Sequence, residues 1–327
     1  MYEVATRSRL VNWLTFYWYT VDMTIKEALD WAKKILRENE VEGPGASAEF
    51  LLHRVLAKDK VFLITNPKVL LTSEQEKKYR DWVEQRSRHK PVWYITGSIE
   101  FLGQDFEVNE NVLIPRPETE LLIEMITEYF RNGFKPNSVV DIGTGSGAII
   151  LSLANILSPL SSRAVRGIQD LDSSCGQNDK LGCRFYASDI SEEALKVAKL
   201  NASKLGFLKQ IEFGESDLFS NWENIKFDLI VANLPYIPHE DMATLAFDLI
   251  HYEPRVALDG GAAGLDIYHK FFEQLPRHLN IGAKVFLEIG YDQGILITKI
   301  VQEVLPKAKV QVLGDYSQVD RIVIIET

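Results

Sequence analysis

At 327 residues, with 46% hydrophobic and 25% charged side chains, the chain has the size for two domains and the composition of an ordinary soluble protein. Its net charge of −10, from 36 basic and 46 acidic residues, disfavours a partner held mainly through phosphates, because such a site needs a basic footprint. Two cysteines, Cys175 and Cys183, are too few for a structural zinc site and are not spaced as a redox pair, so no metal is expected and a cytoplasmic setting fits.

Residues 1–22 hold an apolar run, 10–21, that is too short to cross a membrane and lacks a following cleavage site of small residues. An extension from an upstream start codon, a disordered tail and an extra helix all remain open for it. Helical periodicity begins at Thr24, which with Glu27 forms a capping box ahead of Ile25, Ala28, Leu29, Ala32, Ile35 and Leu36 on one face. A second helix is expected around 49–56. A third spans 73–86, after the Asn66-Pro67 turn. Helices with one apolar face each must pack together, so 23–90 is read as a helical domain. With 14 basic and 11 acidic residues it is the basic part of an acidic chain, suited to docking an acidic partner or simply solvated.

Residues 91–117 are read as a linker built on a β-hairpin. Between Tyr94 and Val112 the chain is rich in aromatic and β-branched residues, with Gly97 and Gly103 as turn points. It leads into Ile114-Pro115-Arg116-Pro117-Glu118-Thr119-Glu120, where two prolines stiffen the backbone before a helix near Glu118. A stiff, charged segment suits the wall of a pocket. From 118 to 327, strands alternate with helices, the pattern of a sheet covered on both faces. The expected strands are 138–142, 184–188, 211–214, 227–232 and 283–289, then an antiparallel pair, 309–313 and 321–325, around the Gly314-Asp315 turn. Residues 158–182 are polar, serine-rich and aperiodic, and read as a surface insertion.

The first sheet strand runs into Asp141-Ile142-Gly143-Thr144-Gly145-Ser146-Gly147 and an apolar helix. Glycines let the backbone turn and approach a ligand, and the helix start offers unpaired N–H groups. No Gly-Lys-Ser/Thr follows, so this is not a triphosphate cradle, and Asp141 ahead of the first glycine suits a ligand with a cationic amino-acid end better than a pyrophosphate. Asp189, at the tip of the second strand, is placed to accept ribose hydroxyls, because Ser191 is free to cap the helix that follows. Asp217, beside Leu218, stands where an adenine would sit or else caps its own loop.

The fourth strand delivers Asn233-Leu234-Pro235-Tyr236 to the carboxyl edge of the sheet, where open sheets place their active sites. A planar amide or aryl amine has a delocalised lone pair, so methyl transfer to it requires the nitrogen to be turned and made nucleophilic. The Asn233 oxygen and the Leu234 carbonyl can accept its two hydrogens, which is positioning plus electrostatics and needs no charged base. Pro235 holds residue 234 extended. Tyr236 offers a flat wall to a planar group. An Asn-Pro turn with a packed tyrosine is the plainer reading.

These segments, together with Glu253-Pro254-Arg255-Val256-Ala257-Leu258, Gly260-Gly261 and Phe286-Leu287-Glu288-Ile289-Gly290, carry a resemblance. From about Met23 to the end, apart from the insertion, the chain resembles the peptide chain release factor glutamine N5-methyltransferase family. The resemblance implies an α/β, seven-stranded Rossmann-like fold that uses S-adenosyl-L-methionine and releases S-adenosylhomocysteine. It implies an N-terminal helical bundle that helps dock the release factor, and as target the glutamine of that factor's Gly-Gly-Gln motif. Asn233, Leu234, Pro235 and Tyr236 then hold the glutamine. Asp141, Gly143, Thr144, Gly145, Gly147, Asp189, Ile190, Asp217, Leu218 and Asn233 border the cofactor. Arg116, Pro117 and Glu288 border the entering peptide. A monomer, without membrane or direct nucleic-acid contacts, is the default expectation.

Two positions depart from the family pattern. Leu234 stands where Asn-Pro-Pro-Tyr is usual, and Asn-Leu-Pro-Tyr is instead carried by ribosomal RNA adenine dimethyltransferases. Ala263 replaces an acidic residue in the stretch Gly261-Ala262-Ala263-Gly264-Leu265, and a looser loop is expected there. The alternatives are therefore an N6-adenine methyltransferase acting on RNA or DNA, which residue 234 favours and the acidic charge opposes, and a catalytically inactive binding protein, which the presence of Asp189 and Asn233 opposes.

Overall fold

The computed structural model describes residues 23–158 and 182–327; the extension 1–22, Cys175 and most of the expected insertion lie outside the described residues. The chain divides into two compact units after Arg88. In the first, helices α1 (Ile25–Glu38), α2 (Pro44–Leu56), α3 (Lys60–Thr65) and α4 (Ser73–Ser87) pack together. Both long outer helices open with capping boxes, Thr24 with Glu27 and Thr72 with Gln75, which satisfy N–H groups the first turn leaves unpaired. Ile25, Ala28, Ala32 and Leu36 form the buried stripe of α1, as the periodicity predicts. Across from it, the Tyr79 hydroxyl donates to the Ala48 carbonyl at 3.0 Å, which satisfies a buried polar group. Helix α3 is absent from the sequence reading. It has only six residues, too few for a period, and is announced only by its cap, Asp59, which accepts the Phe62 N–H at 2.7 Å.

The second unit starts with a short helix, α5 (Val92–Thr96), and a hairpin of β1 (Ser98–Phe101) and β2 (Gln104–Glu107). The hairpin is narrower than the 94–112 the aromatics suggest, because Tyr94 is helical and its hydroxyl donates to the Val112 carbonyl at 2.6 Å. Helix α6 (Pro117–Arg131) begins with Pro117 in its first turn, where a missing N–H costs nothing.

The sheet follows: β3 (Ser138–Ile142), α7 (Ala148–Leu157), β4 (Arg184–Asp189), α8 (Glu192–Leu205), β5 (Ile211–Glu215) and β6 (Phe227–Asn233). After α9 (Phe247–Tyr252) and α10 (Asp266–Gln274) come β7 (Leu279–Glu288), α11 (Gly294–Val304), β8 (Lys309–Gly314) and β9 (Asp320–Glu326). Seven strands form one sheet in the order β5-β4-β3-β6-β7-β9-β8. All neighbours are parallel except β9, which is antiparallel to both β7 and β8. The seven-stranded Rossmann-like expectation holds. Strand β7 begins earlier than expected, and Gly282, at φ 75°, breaks the alternation there.

Side chains on each strand alternate between two cores, as a period of two requires. Val139, Leu229, Val231, Phe286, Ile322 and Ile324 face α6 and α7, while Val140, Ile230, Ala232, Val285, Leu287, Val323 and Ile325 face α10 and α11. Burial on both faces explains why these strands read as continuous apolar runs. The order in which strands are added reverses at β3, which lies between β4 and β6, and that switch point opens a cleft at the carboxyl edge.

Candidate active site

Four strand ends converge on the cleft. The Gly143–Gly147 turn follows β3, and its three glycines all take positive φ, a conformation that a side chain would strain. The turn is held from below and from the side. Gly143 and Thr144 N–H groups both donate to the Ser188 carbonyl at 2.8 Å, and the Gly145 N–H donates to Asp189 Oδ2 at 2.8 Å. Asn201 of α8 adds a brace, donating to the carbonyls of Ser146 and Glu107 and accepting the Glu107 N–H, which ties the hairpin to the turn.

Asp189 ends β4. Its second oxygen accepts the Ser191 N–H at 2.9 Å, while the Ser191 hydroxyl caps α8 by accepting the Ala194 N–H. Burial raises the Asp189 carboxyl against these backbone donors. Beside it, Ile190 is 54% exposed, an apolar surface left open on the rim. After β5, Asp217 is exposed and Leu218 sits at φ 54°, a strained left-handed conformation for leucine. The Leu218 carbonyl is pinned by the Ser188 and Ser216 hydroxyls.

Asn233 ends β6. Leu234 is buried, and its side chain lies over Gly143, whose hypothetical Cβ would come within 3.3 Å of it. The larger residue at 234 is thus absorbed by the core beside Ile142, Leu265 and Tyr268. The chain leaving this strand is clamped by the glycine-rich stretch: a Cβ at Gly260 would meet the Pro235 carbonyl at 2.7 Å, and one at Gly264 the Tyr236 carbonyl at 2.2 Å. Gln293 donates from its amide to the carbonyls of Tyr236 (2.9 Å) and Gly264 (3.1 Å). Ala263 is exposed, and its loop is closed by Asp259 and Asp266, which accept the N–H groups of Gly261 and Ala262.

The wall opposite is the Pro115–Pro117 segment. Arg116 forms an ion pair with buried Glu253, whose other oxygen accepts the Ile114 N–H at 3.3 Å. Burial pushes the Glu253 carboxyl up, and Arg116 works against that shift.

Of the residues singled out in the sequence, Arg116, Gly143, Thr144, Gly145, Asp189, Ile190, Asp217, Leu218, Asn233, Leu234 and Pro235 line one cavity. Asp141, Gly147, Pro117, Tyr236 and Glu288 do not. Asp141 lies under the glycine turn, fully buried; its Oδ2 accepts the Thr144 hydroxyl at 2.7 Å and its Oδ1 has no partner. Burial raises this carboxyl to about 7, opposed by the Thr144 hydroxyl and the Ile150 N–H. Tyr236 is half-buried against the core, and burial pushes its hydroxyl up to about 12. Glu288, expected near an entering peptide, is instead 1% exposed. Its Oε2 accepts the Thr119 hydroxyl at 2.7 Å, and Thr119 in turn accepts from the Asn233 amide at 3.3 Å. The sequence reading missed Thr119, Asn201, Glu253 as the partner of Arg116, and Gln293. For Thr119 the signal was its place in the proline-stiffened segment.

The residues fit S-adenosylmethionine. Asp141 keeps a buried, unpartnered carboxylate oxygen for which a cation is the natural complement, and Asp189 stands one strand over with both oxygens directed by backbone N–H groups. Among the described residues no group of His, Cys, Asp or Glu could hold a metal ion, and no helix is long and apolar enough to cross a membrane.

Comparison with known proteins agrees on both units. Residues 27–97 match a family described as the PrmC N-terminal domain, and residues 134–252 one described as a methyltransferase domain. The chain is 38% identical over 309 residues to the release factor glutamine methyltransferase of Bacillus cereus, covering 93% of this chain and 99% of that protein. It is 34% identical over 305 residues to the protein of the same name in Clostridium acetobutylicum, covering 92% and 98%. Among solved structures, the hMettl16 catalytic domain in complex with MAT2A 3'UTR hairpin 1 superposes with a TM-score of 0.50 at 13% identity, over 80% of this chain and 83% of that one, a likeness of fold alone.

Proposed function

This chain belongs to the release factor glutamine methyltransferase family, and we propose that the cleft at the carboxyl edge of its sheet is where the target glutamine is held for methylation. The enzyme transfers a methyl group from S-adenosyl-L-methionine to the side-chain amide nitrogen, N5, of a glutamine in peptide chain release factors. The glutamine of the Gly-Gly-Gln motif is the site we assign.

The cofactor supplies the methyl group on an electrophilic sulfonium. The chain's residues do the rest. Asp141, under the glycine turn, answers the cationic methionine end. Asp189 takes the ribose hydroxyls, and Ile190, Asp217 and Leu218 border the base. Asn233 and the Leu234 carbonyl accept the two amide hydrogens of the glutamine and so fix its plane. Pro235 keeps that carbonyl extended, and Tyr236 packs behind it. Arg116 and Pro117 stiffen the facing wall. Held this way, the amide nitrogen needs no base strong enough to deprotonate it, since its proton is lost after the methyl has arrived. The observation that carries the reading is the meeting of Asn233 with the Gly143–Gly145 turn and Asp189 in one cleft.

The helical region 23–90, net +3, with Val61, Ile64 and Leu70 exposed, is proposed to dock the release factor. The protein is proposed to act as a cytoplasmic monomer without direct nucleic-acid contacts, in keeping with its charge of −10. The test is peptide mass spectrometry of a purified release factor incubated with the enzyme and methyl-labelled cofactor, beside an RNA control. One methyl on the Gly-Gly-Gln glutamine is expected. Label in the RNA alone would transfer the assignment to the adenine reading that Leu234 suggests.

A further inference from the structure

An asparagine that must accept hydrogen bonds faces a problem of direction. Its amide has two ends of almost the same shape, and only the oxygen-out orientation accepts hydrogens from a target amide. We infer that Thr119, acting with Glu288, is the positioning residue that fixes the Asn233 amide with its oxygen toward the glutamine. This rests on the functional reading above.

The geometry is a chain of three groups from three elements. Asn233 ends β6, and the strand register pairs it with Glu288 at the end of β7. Thr119 reaches between them from the first turn of α6, with its hydroxyl 2.7 Å from Glu288 Oε2 and 3.3 Å from Asn233 Nδ2. An ionised carboxylate only accepts. The single hydroxyl proton of Thr119 therefore goes to Glu288, which leaves oxygen lone pairs facing Asn233. Only the NH₂ end of Asn233 can satisfy them, so its oxygen turns outward. The two prolines at 115 and 117, and the Arg116–Glu253 pair, hold the start of α6 where this contact needs it.

The charge on Glu288 sets the direction of the whole chain. Burial raises its carboxyl to about 7, against the Thr119 hydroxyl, the Arg321 guanidinium on β9 and the Asn233 amide, and with Glu118 of α6 reinforcing the rise. Tyr236 also faces it, and the Tyr268 hydroxyl of α10 donates to its backbone carbonyl. Once protonated, Glu288 can donate to Thr119, whose proton then turns toward Asn233 and favours the inverted amide. Raising the pH through 7 ionises Glu288 and restores the productive direction, so kcat rises with pH across that range.

The test compares wild type, Thr119→Val, Thr119→Ser and Glu288→Gln between pH 6 and 9 with cofactor saturating at every pH, recording kcat, KM for the release factor and the affinity for S-adenosylhomocysteine. The Asn233 side-chain amide is followed by NMR. Thr119→Val is expected to lower kcat about 10- to 100-fold, the size of losing a hydrogen bond backed by a charge, with KM and product affinity little changed. Thr119→Ser restores most of the rate. Glu288→Gln loses the acidic limb near pH 7. In the wild type the Asn233 amide signals move with pH through 7, and in Thr119→Val they move less. Wild-type kcat in Thr119→Val, an equal loss in Thr119→Ser, or an acidic limb that persists in Glu288→Gln overturns the inference. If the wild type methylates no release factor, the functional reading fails instead, and the NMR comparison still decides what orients Asn233.

Discussion

Asp141 and Glu288 are near twins by burial and opposites by connection. Asp141 stands one residue before the end of β3 and Glu288 ends β7, each is at most 1% exposed, and burial lifts each carboxyl to about 7. Asp141 keeps one oxygen unpartnered, and among the described residues it is the only buried carboxylate that does so. Glu288 spends its charge on Thr119 and, through it, on Asn233. Desolvation alone therefore says little about the job of a buried acid. The account of its partners says more: the unpartnered oxygen of Asp141 fits the cationic ligand end proposed for it, and the bonded oxygen of Glu288 fits the orienting role inferred for it. Glu253, also buried, is paired with Arg116 and serves the wall.

The comparison is broken most severely at the residue the Glu288 arm serves. Asn233→Ala is expected to cost about 10²–10³ in single-turnover methylation, the range for losing one preorganised hydrogen-bonding group, while product affinity stays close to wild type. Equal losses in both would place Asn233 on the cofactor arm instead. Arg116→Gln tests the third acid. It leaves Glu253 buried with its ion partner gone, at an expected cost of about 1–3 kcal/mol in urea unfolding, less than a fully buried pair because Arg116 is partly solvated. That cost should shrink as the pH is lowered, because protonation relieves a carboxyl that burial already raises. The smallest effect is expected at the departure from the family pattern. Leu234→Met conserves volume over Gly143 and should cost less than about 1.5 kcal/mol, with kcat unchanged, because only the carbonyl of residue 234 takes part.

Much of this was legible in the sequence for a physical reason. A strand buried on both faces is a continuous apolar run, so the glycines and acids that interrupt it mark the carboxyl edge where a ligand can sit. Asp189, Asn233 and the glycine turn were readable for that reason, and the cavity brings them together. What escaped depends on the order of strands. Thr119 and Glu288 lie 169 positions apart, and they meet only because β7 is placed beside β6 and α6 crosses above them. No local pattern encodes that order. Glu288 was accordingly expected beside the entering peptide and is found buried, paired in register with Asn233. The strain at Leu218 was likewise hidden, since leucine carries no signature of positive φ.

The most direct test of the division of labour is calorimetry of S-adenosylhomocysteine binding at pH 6 and pH 8 to wild type, Asp141→Asn and Glu288→Gln. Asp141 must be ionised to hold a cation, and its carboxyl in the free protein sits at about 7. Wild-type affinity should therefore weaken as the pH falls below that value, by up to about tenfold per unit. Glu288→Gln should follow the wild-type curve. Asp141→Asn should bind weakly and with little dependence on pH. If Glu288→Gln loses affinity as Asp141→Asn does, or if Asp141→Asn keeps the wild-type profile, the two acids do not divide the work in this way.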